Sequence, residues 1–308
     1  MVLDQPAVTV CCITYNHEAY IEDALKGFLM QKTAFPFEII IHDDASTDAT
    51  SEILIRYREL YPNIVKPIIR KSNVYSKGIR FISIRYIASV AAGKYLAFCE
   101  GDDFWLDPQK LQNQYDIMQK DNSLSFCAHS VRVLNDCEKK DSVSSYSHID
   151  IGRFSFESVV VGHSIPTLSI FCKNIFDDFF DIYHTPLKSA DKAIIFYLLS
   201  KGDGYFENGF SGVYRDHDGG VTKDTRHVQD YVSNFEVLVL CSLKIIPNSS
   251  LKLLRRELAL VYLIAAKRVF STSVLAAFLY LLKSFVDRSY IDLQFLYFFN
   301  FCNFKYNY

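Results

Sequence analysis

The chain carries one Trp in 308 residues, and neither charge sign prevails: 33 Lys and Arg stand against 35 Asp and Glu, a formal net charge of −2. Such a balance gives no general electrostatic reason to bind nucleic acid. The eight cysteines form no Cys-x-x-Cys pair and no Cys/His cluster of zinc-ligand spacing. Scattered through apolar runs, they read as buried free thiols of a reducing compartment. The longest nearly uncharged apolar run, 274–282, falls far short of the ~20 residues that span a bilayer. Residues 1–6 include Asp4 and Pro6, which predicts no secretory leader ahead of the first strand and a cytoplasmic protein. The loop after that strand, Thr14-Tyr15-Asn16-His17, has no glycine. That absence argues against a dinucleotide-dependent dehydrogenase, whose Gly-x-Gly-x-x-Gly turn would stand there. It argues equally against a nucleotidyltransferase with a Gly-rich, cationic phosphate loop.

What the chain does have is core-forming material: half of its residues are hydrophobic, with 25 Phe and 20 Tyr. The length allows one large domain or two small ones. Residues 7–13, 37–41, 64–69 and 95–99 are short apolar runs that read as buried strands. Between them, 18–31, the stretch opened by Ser46-Thr47-Asp48, and 79–92 carry helical apolar spacing. The β-α-β-α-β-α-β order predicts a mainly parallel sheet flanked by helices. Further on, 111–120 and 190–200 read as helices, 124–134 and 165–171 as strands, and 137–147 and 214–221 as loops. From 233 onward the sequence predicts helices over 233–245, 251–270 and 274–285.

Ligands of such sheets bind at the carboxyl ends of the strands. Three polar clusters fall there: 14–17, His42-Asp43-Asp44, and Glu100-Gly101-Asp102-Asp103. Adjacent carboxylates after a buried strand are costly unless a cation neutralises them. A divalent ion such as Mg²⁺, which takes one or two carboxylates and leaves its other positions to water and phosphate, is the natural partner of Asp102 and Asp103. Asp43 or Asp44 can accept from a nucleobase or ribose, or can cap the following helix. Tyr15 can stack on a base or simply pack.

The stretches VTVCCITYNHEAYIEDAL, FEIIIHDDASTDAT and AAGKYLAFCEGDDFWLDPQKL together resemble glycosyltransferase family 2, the inverting nucleotide-sugar enzymes of the A-type glycosyltransferase fold. ADKAIIFYLLSKGDGYFENGFSGVYRDHDGGVT resembles the acceptor-side end of bacterial members. The resemblance implies a nucleotide-sugar-binding half over 1–112, an acceptor-binding half of the same catalytic domain over 113–225, and a C-terminal helical extension over 226–308. It implies a UDP-sugar donor, a glycan or lipid-linked glycan acceptor, a role in surface polysaccharide such as O-antigen or capsule, and a Mg²⁺ or Mn²⁺ cofactor. Tyr15 would lie on the base and Asp44 on the base or ribose. Asp103 would be the direct metal ligand, with Asp102 on the ribose or a metal-bound water and Glu100 nearby. Arg80 or Arg85 would reach a phosphate, and Arg215 or His217 would stabilise the departing diphosphate, His217 also serving the metal. Asp191 would be the general base, with Asp177, Asp178 and Asp181 as fallbacks. A non-catalytic glycan-binding or scaffold protein on the same fold is the rival reading.

The C-terminal third carries Lys252, Arg255, Arg256, Lys267, Arg268 and Lys283 among apolar residues, and 295–308 is rich in Phe and Tyr. Basic, aromatic amphipathic helices lie on anionic membranes. They also pack on a catalytic domain or form a homodimer interface, and the sequence leaves these readings open.

Overall fold

The computed structural model describes residues 5–135, 140–142, 149–160, 165–184, 187, 191–217, 228–269, 273, 276–280 and 282–283. The first half builds a parallel sheet from β1 (Val8–Thr14), β2 (Phe37–Asp43), β3 (Val65–Ile69) and β4 (Tyr95–Phe98), in the order β3-β2-β1-β4. Next to β4 lie β9 (Phe171–Lys173), β6 (Leu124–Asn135), β10 (Asp203–Asp216) and the two-residue β5 (Phe104–Trp105). β9 runs antiparallel to both neighbours, β6 and β10 are parallel, and β5 closes antiparallel on β10. Two short strands, β7 (Lys140–Ser142) and β8 (Gly152–Phe154), pair with β6 and β10.

Side chains alternate across a strand, so a sheet with no polar residue pattern must be covered on both faces. Val8, Val10 and Cys12 of β1 join Ile39 and Ile41 of β2 in one core. This core is roofed by α1 (Ile21–Leu29), α2 (Thr50–Leu60) and α3 (Lys110–Lys120). Cys11 and Ile40 face the other way, into a core shared with α5 (Phe179–Ile182), α6 (Asp191–Lys201), α7 (Val228–Ser242) and α8 (Leu251–Val269). A short helix, α4 (Phe156–Val160), lies between α6 and α8. Seven consecutive residues of α6, from Ala193 to Leu199, are buried, which explains why it reads as apolar all round. Six cysteines are buried free thiols; Cys137 and Cys302 lie outside the described residues.

Polar groups inside the sheet are matched to partners. The buried Glu38 of β2 accepts from Thr9 Oγ1 at 2.7 Å, Lys66 Nζ at 2.6 Å and the Ala92 N–H at 2.8 Å. Burial would raise its carboxyl, but these donors hold it below the ordinary range. On the other flank, Lys110 is fully buried, donates to Gln114 Oε1 at 2.6 Å and lies 4.1 Å from the Trp105 ring. Desolvation brings this ammonium down to about 8.

Three elements differ from the sequence reading. The helix expected over 79–92 is a single π-helical stretch, Ser83–Ala88; Phe81, at φ 57°, prevents it from starting earlier, since no α-helix accommodates that angle. The strand expected over 165–171 is a 3₁₀ turn, Thr167–Ser169, followed by β9; a short buried apolar run has no period that tells strand from turn. Residues 214–216, expected in a loop, end the 14-residue β10. Its bulge beside Gly209, where the register shifts between Glu207 and Phe210, hides its alternation. The loop expected over 137–147 lies mostly outside the described residues, as do 218–221, parts of 274–285 and all of 295–308.

β4 is pinned to β1 where Gly93 crosses it. The Gly93 N–H donates to Thr9 Oγ1 at 3.0 Å, and a Cβ on Gly93 would lie 2.4 Å from the Thr9 backbone nitrogen. Gly93→Ala must therefore pry β4 from β1. A loss of about 1–3 kcal/mol is expected from such overpacking, read as a fall of several degrees in Tm.

Candidate active site

The acidic segment turns sharply between β4 and β5. The Gly101 N–H donates to the Ile13 carbonyl at 2.9 Å, and a Cβ there would meet Thr14 Oγ1 at 2.6 Å. Only glycine lets the turn cross the end of β1 this closely. Beyond it, β5 pairs with β10 through Trp105 with Gly212 and Phe104 with Val213. That register carries Arg215 to the turn, where its backbone N–H donates to Asp103 Oδ1 at 2.8 Å. The Arg215 guanidinium donates to the Asp102 carbonyl at 2.8 Å and to Asp23 Oδ2 at 3.0 Å. Its carbon lies 4.7 Å from the Tyr20 ring and 4.9 Å from that of Phe104.

With Asp103 held by a backbone donor and 3% exposed, Asp102 is the carboxylate that meets imidazoles. Its Oδ2 lies 3.1 Å from His217 Nε2 and 3.6 Å from His17 Nε2, and the two imidazoles stand 6.2 Å apart. Tyr20 packs on His217 with ring centroids 4.7 Å apart. Burial works to raise the Asp102 carboxyl, but the His217 hydrogen bond and the field of His17 outweigh it and hold it low. Burial lowers His17 itself. Asp103 goes the other way: burial, Asp102 and Glu100 push it well above the carboxylate range. Burial, Asp191 and Asp102 raise Glu100 to about 8.

Asp191 opens α6 and is exposed at its residue surface. Enough protein surrounds its carboxyl that desolvation raises it, while a hydrogen bond from the Thr167 hydroxyl works to lower it. Its charge is felt at Glu100, so the first residue of α6 belongs to the same electrostatic field as the acidic turn. The fallback bases stand elsewhere. Asp178 accepts from Tyr197 and from Lys201 Nζ at 2.7 Å, and these donors hold it low, while Asp177 and Asp181 are exposed on and beside α5.

The ends of β1 and β2 are tied together. Asn16, at φ 54°, receives the Thr47 N–H on its side-chain oxygen at 2.8 Å and donates its own N–H to Ser46 Oγ at 2.9 Å. Asp43 accepts the Ser46 hydroxyl at 2.6 Å and is also bonded by the Ser51 hydroxyl. Tyr15 is 43% exposed beside this knot. Asp44 is buried and accepts the Val74 and Tyr75 N–H groups at 2.8 and 2.9 Å. Arg80 stacks 3.9 Å over Tyr75 and donates to its carbonyl at 2.7 Å; Arg85 stacks 4.1 Å over Phe180. Both line a cleft of about 320 Å³ with Phe81, Tyr86, Tyr183 and His184.

The structure thus joins Asp102, Asp103, Arg215 and His217 at one turn and sets Arg80 and Arg85 in a neighbouring cleft. Arg215, expected on the diphosphate, is 6% exposed and clamps the acidic turn. Asp103, expected as the direct metal ligand, accepts the Arg215 N–H on Oδ1, and Asp102 Oδ2 lies beside His217. Sequence reasoning passed over His17, Tyr20, Asp23 and Thr167. His17 was visible as the last polar residue after β1. Asp23, inside an ordinary amphipathic helix, gave no signal.

A divalent ion fits this donor set. The 3.1 Å between Asp102 Oδ2 and His217 Nε2 is close to the spacing of adjacent ligands around an octahedral ion with bonds of about 2.1 Å. Among the described residues no three His, Cys, Asp or Glu side chains form a preformed metal cage; Asp102 and His217 would hold the ion, which would supply positive charge to a diphosphate.

The model for glycosyl transferase family 2 matches residues 9–180, more than half of the chain. An uncharacterised Mycobacterium tuberculosis protein, Rv1520, is 44% identical over 135 residues, which cover 44% of this chain and 38% of that protein. The dTDP-rhamnosyl transferase RfbG of Shigella flexneri is 28% identical over 118 residues, 38% of this chain and 40% of that one. The matched regions thus span less than half the length of these relatives. Among solved structures, S. aureus TarS 1–349 in complex with UDP-GlcNAc superimposes with TM-score 0.66 at 17% identity, covering 91% of this chain and 80% of that one. The Pyrobaculum calidifontis mannosyltransferase PcManGT, in complex with GDP-Man and Mn²⁺, gives TM-score 0.57 at 14% identity, covering 93% and 88%. Fold, acidic turn and family match agree: the chain belongs to glycosyl transferase family 2.

Proposed function

We propose that this protein is an inverting glycosyltransferase that moves a sugar from a nucleotide-sugar donor to a hydroxyl of a glycan or lipid-linked glycan during surface-polysaccharide assembly, in the cytoplasm or at the cytoplasmic face of a membrane. The observation that carries the reading is the Asp102–His217 pair at the acidic turn of a chain matched by the glycosyl transferase family 2 model. A UDP- or dTDP-sugar is the donor class, in keeping with the UDP-GlcNAc named for TarS and the dTDP-rhamnosyl named for RfbG.

In this reading Tyr15 flanks the base, and Arg80 and Arg85 receive anionic oxygens of the donor. Asp44 supports the donor pocket by fixing residues 74 and 75. A divalent ion held by Asp102 and His217 supplies charge neutralisation at the diphosphate; an imidazole in the set favours Mn²⁺ over Mg²⁺, which prefers oxygen. Asp103 and Arg215 keep that pair in place. Asp191 accepts the proton of the acceptor hydroxyl as its oxygen bonds to the anomeric carbon and the bond to the diphosphate oxygen breaks. One displacement inverts the anomeric configuration.

Three outcomes follow. Asp191→Asn keeps donor affinity within about twofold and loses about 10²–10⁴ in transfer rate; near wild-type turnover would remove the base assignment. A base must be ionised, so kcat/KM falls as pH drops through the raised Asp191 value. The Thr167 hydrogen bond lowers that value, so Thr167→Val should move the acid limb of the profile to higher pH. Asp102→Asn should abolish Mn²⁺ binding in calorimetry with little change in Tm, whereas Asp103→Ala should lower Tm through loss of the contact to Arg215; the opposite pattern would restore Asp103 as the ligand.

A further inference from the structure

We infer that the outward face of α8 is a docking surface for an anionic phospholipid bilayer. The inference deepens the proposed function and rests on it only for its purpose, bringing the site to a lipid-linked acceptor. The inward side of α8, with Leu254, Leu258, Val261, Tyr262 and Ala265, is buried. Its exposed residues are Lys252, Arg256, Leu260, Ile264 and Lys267. The spacing of four, four, four and three places them on one stripe. α8 therefore presents three cations and two large aliphatic side chains to solvent, and no exposed acid.

α3 differs, exposing Asp116 as well as Lys120. α2 exposes Glu52, Arg56, Arg58 and Glu59, a mixture of both signs. The chain after α8 returns beside it: Tyr280 stacks on Tyr262 with centroids 6.5 Å apart, and Lys283 Nζ and Tyr262 Oη share Glu236 Oε1 at 3.0 and 2.6 Å. That segment adds Phe278, Leu279 and Leu282, exposed by 55%, 43% and 45%. Three exposed cations interleaved with two exposed aliphatic side chains on one stripe of α8 match the chemistry of an interface-lying helix. Among the described residues no helix is long and apolar enough to cross a membrane, so this surface lies on the bilayer.

The test is co-sedimentation of the full chain with vesicles of phosphatidylcholine alone or mixed with phosphatidylglycerol. Binding to the mixed vesicles only, weakened by salt, is expected. Leu260→Gln with Ile264→Gln should weaken partitioning about tenfold or more. Arg256→Gln with Lys267→Gln should weaken it by roughly 25-fold, about fivefold per charge. All four residues are on the surface, so donor turnover with a soluble acceptor should be unchanged, which separates this result from failure of the catalytic reading. No binding by the wild type, equal binding to phosphatidylcholine alone, or wild-type binding by both double variants would overturn the inference. So would a dimer that these variants dissociate in the absence of lipid binding, since a second copy would then be the occupant.

Discussion

The Arg215 N–H donates to Asp103 across 2.8 Å while the guanidinium of the same residue grips the Asp102 carbonyl and Asp23. One residue of β10 therefore fixes both the side chain and the backbone of the acidic turn. Asp103 accepts that backbone donor through Oδ1, while Asp102 Oδ2 faces His217 and His17. The two adjacent acids shift in opposite directions, because Asp103 is buried beside two other carboxyl groups and Asp102 meets imidazoles.

The same anchorage concentrates negative charge where little water reaches. Glu100 and Asp103 are raised above the carboxylate range, mainly by burial, and each lies in the field of Asp102. Such a site is poised for a cation, because each added positive charge relieves several destabilised carboxylates at once. The arginines of the neighbouring cleft are separated from this charge and instead are held by Tyr75 and Phe180. The protein thus carries an acidic turn at the end of β4 and a separate cleft lined by two arginines.

Much of this was legible beforehand where local pattern and final environment coincide. β1, β2 and β4 are mainly apolar and α1 and α2 have a clear helical period, so the strand order and the three polar strand ends could be read directly. What escaped has one cause: it depends on contacts between distant segments. Arg215 carries a phosphate-binding chemistry in the sequence, and only the β5–β10 register brings it to the acidic turn and to Asp23. Asp102 and Asp103 cannot be told apart without that register. Phe81 broke an otherwise helical stretch through a positive φ that no composition announces. The bulged β10 hid because its glycines interrupt the period that marks a strand.

Arg215 and Asp103 are 112 residues apart, and His217 and Asp102 are 115 apart. A chain made from its N-terminus can complete the four parallel strands long before β10 is available. The acidic turn then stands without its clamp or its second imidazole. Loop-closure entropy makes such remote pairings late steps of folding. The pairing of β10 therefore completes the acidic turn, and four parallel strands alone would carry that turn unclamped.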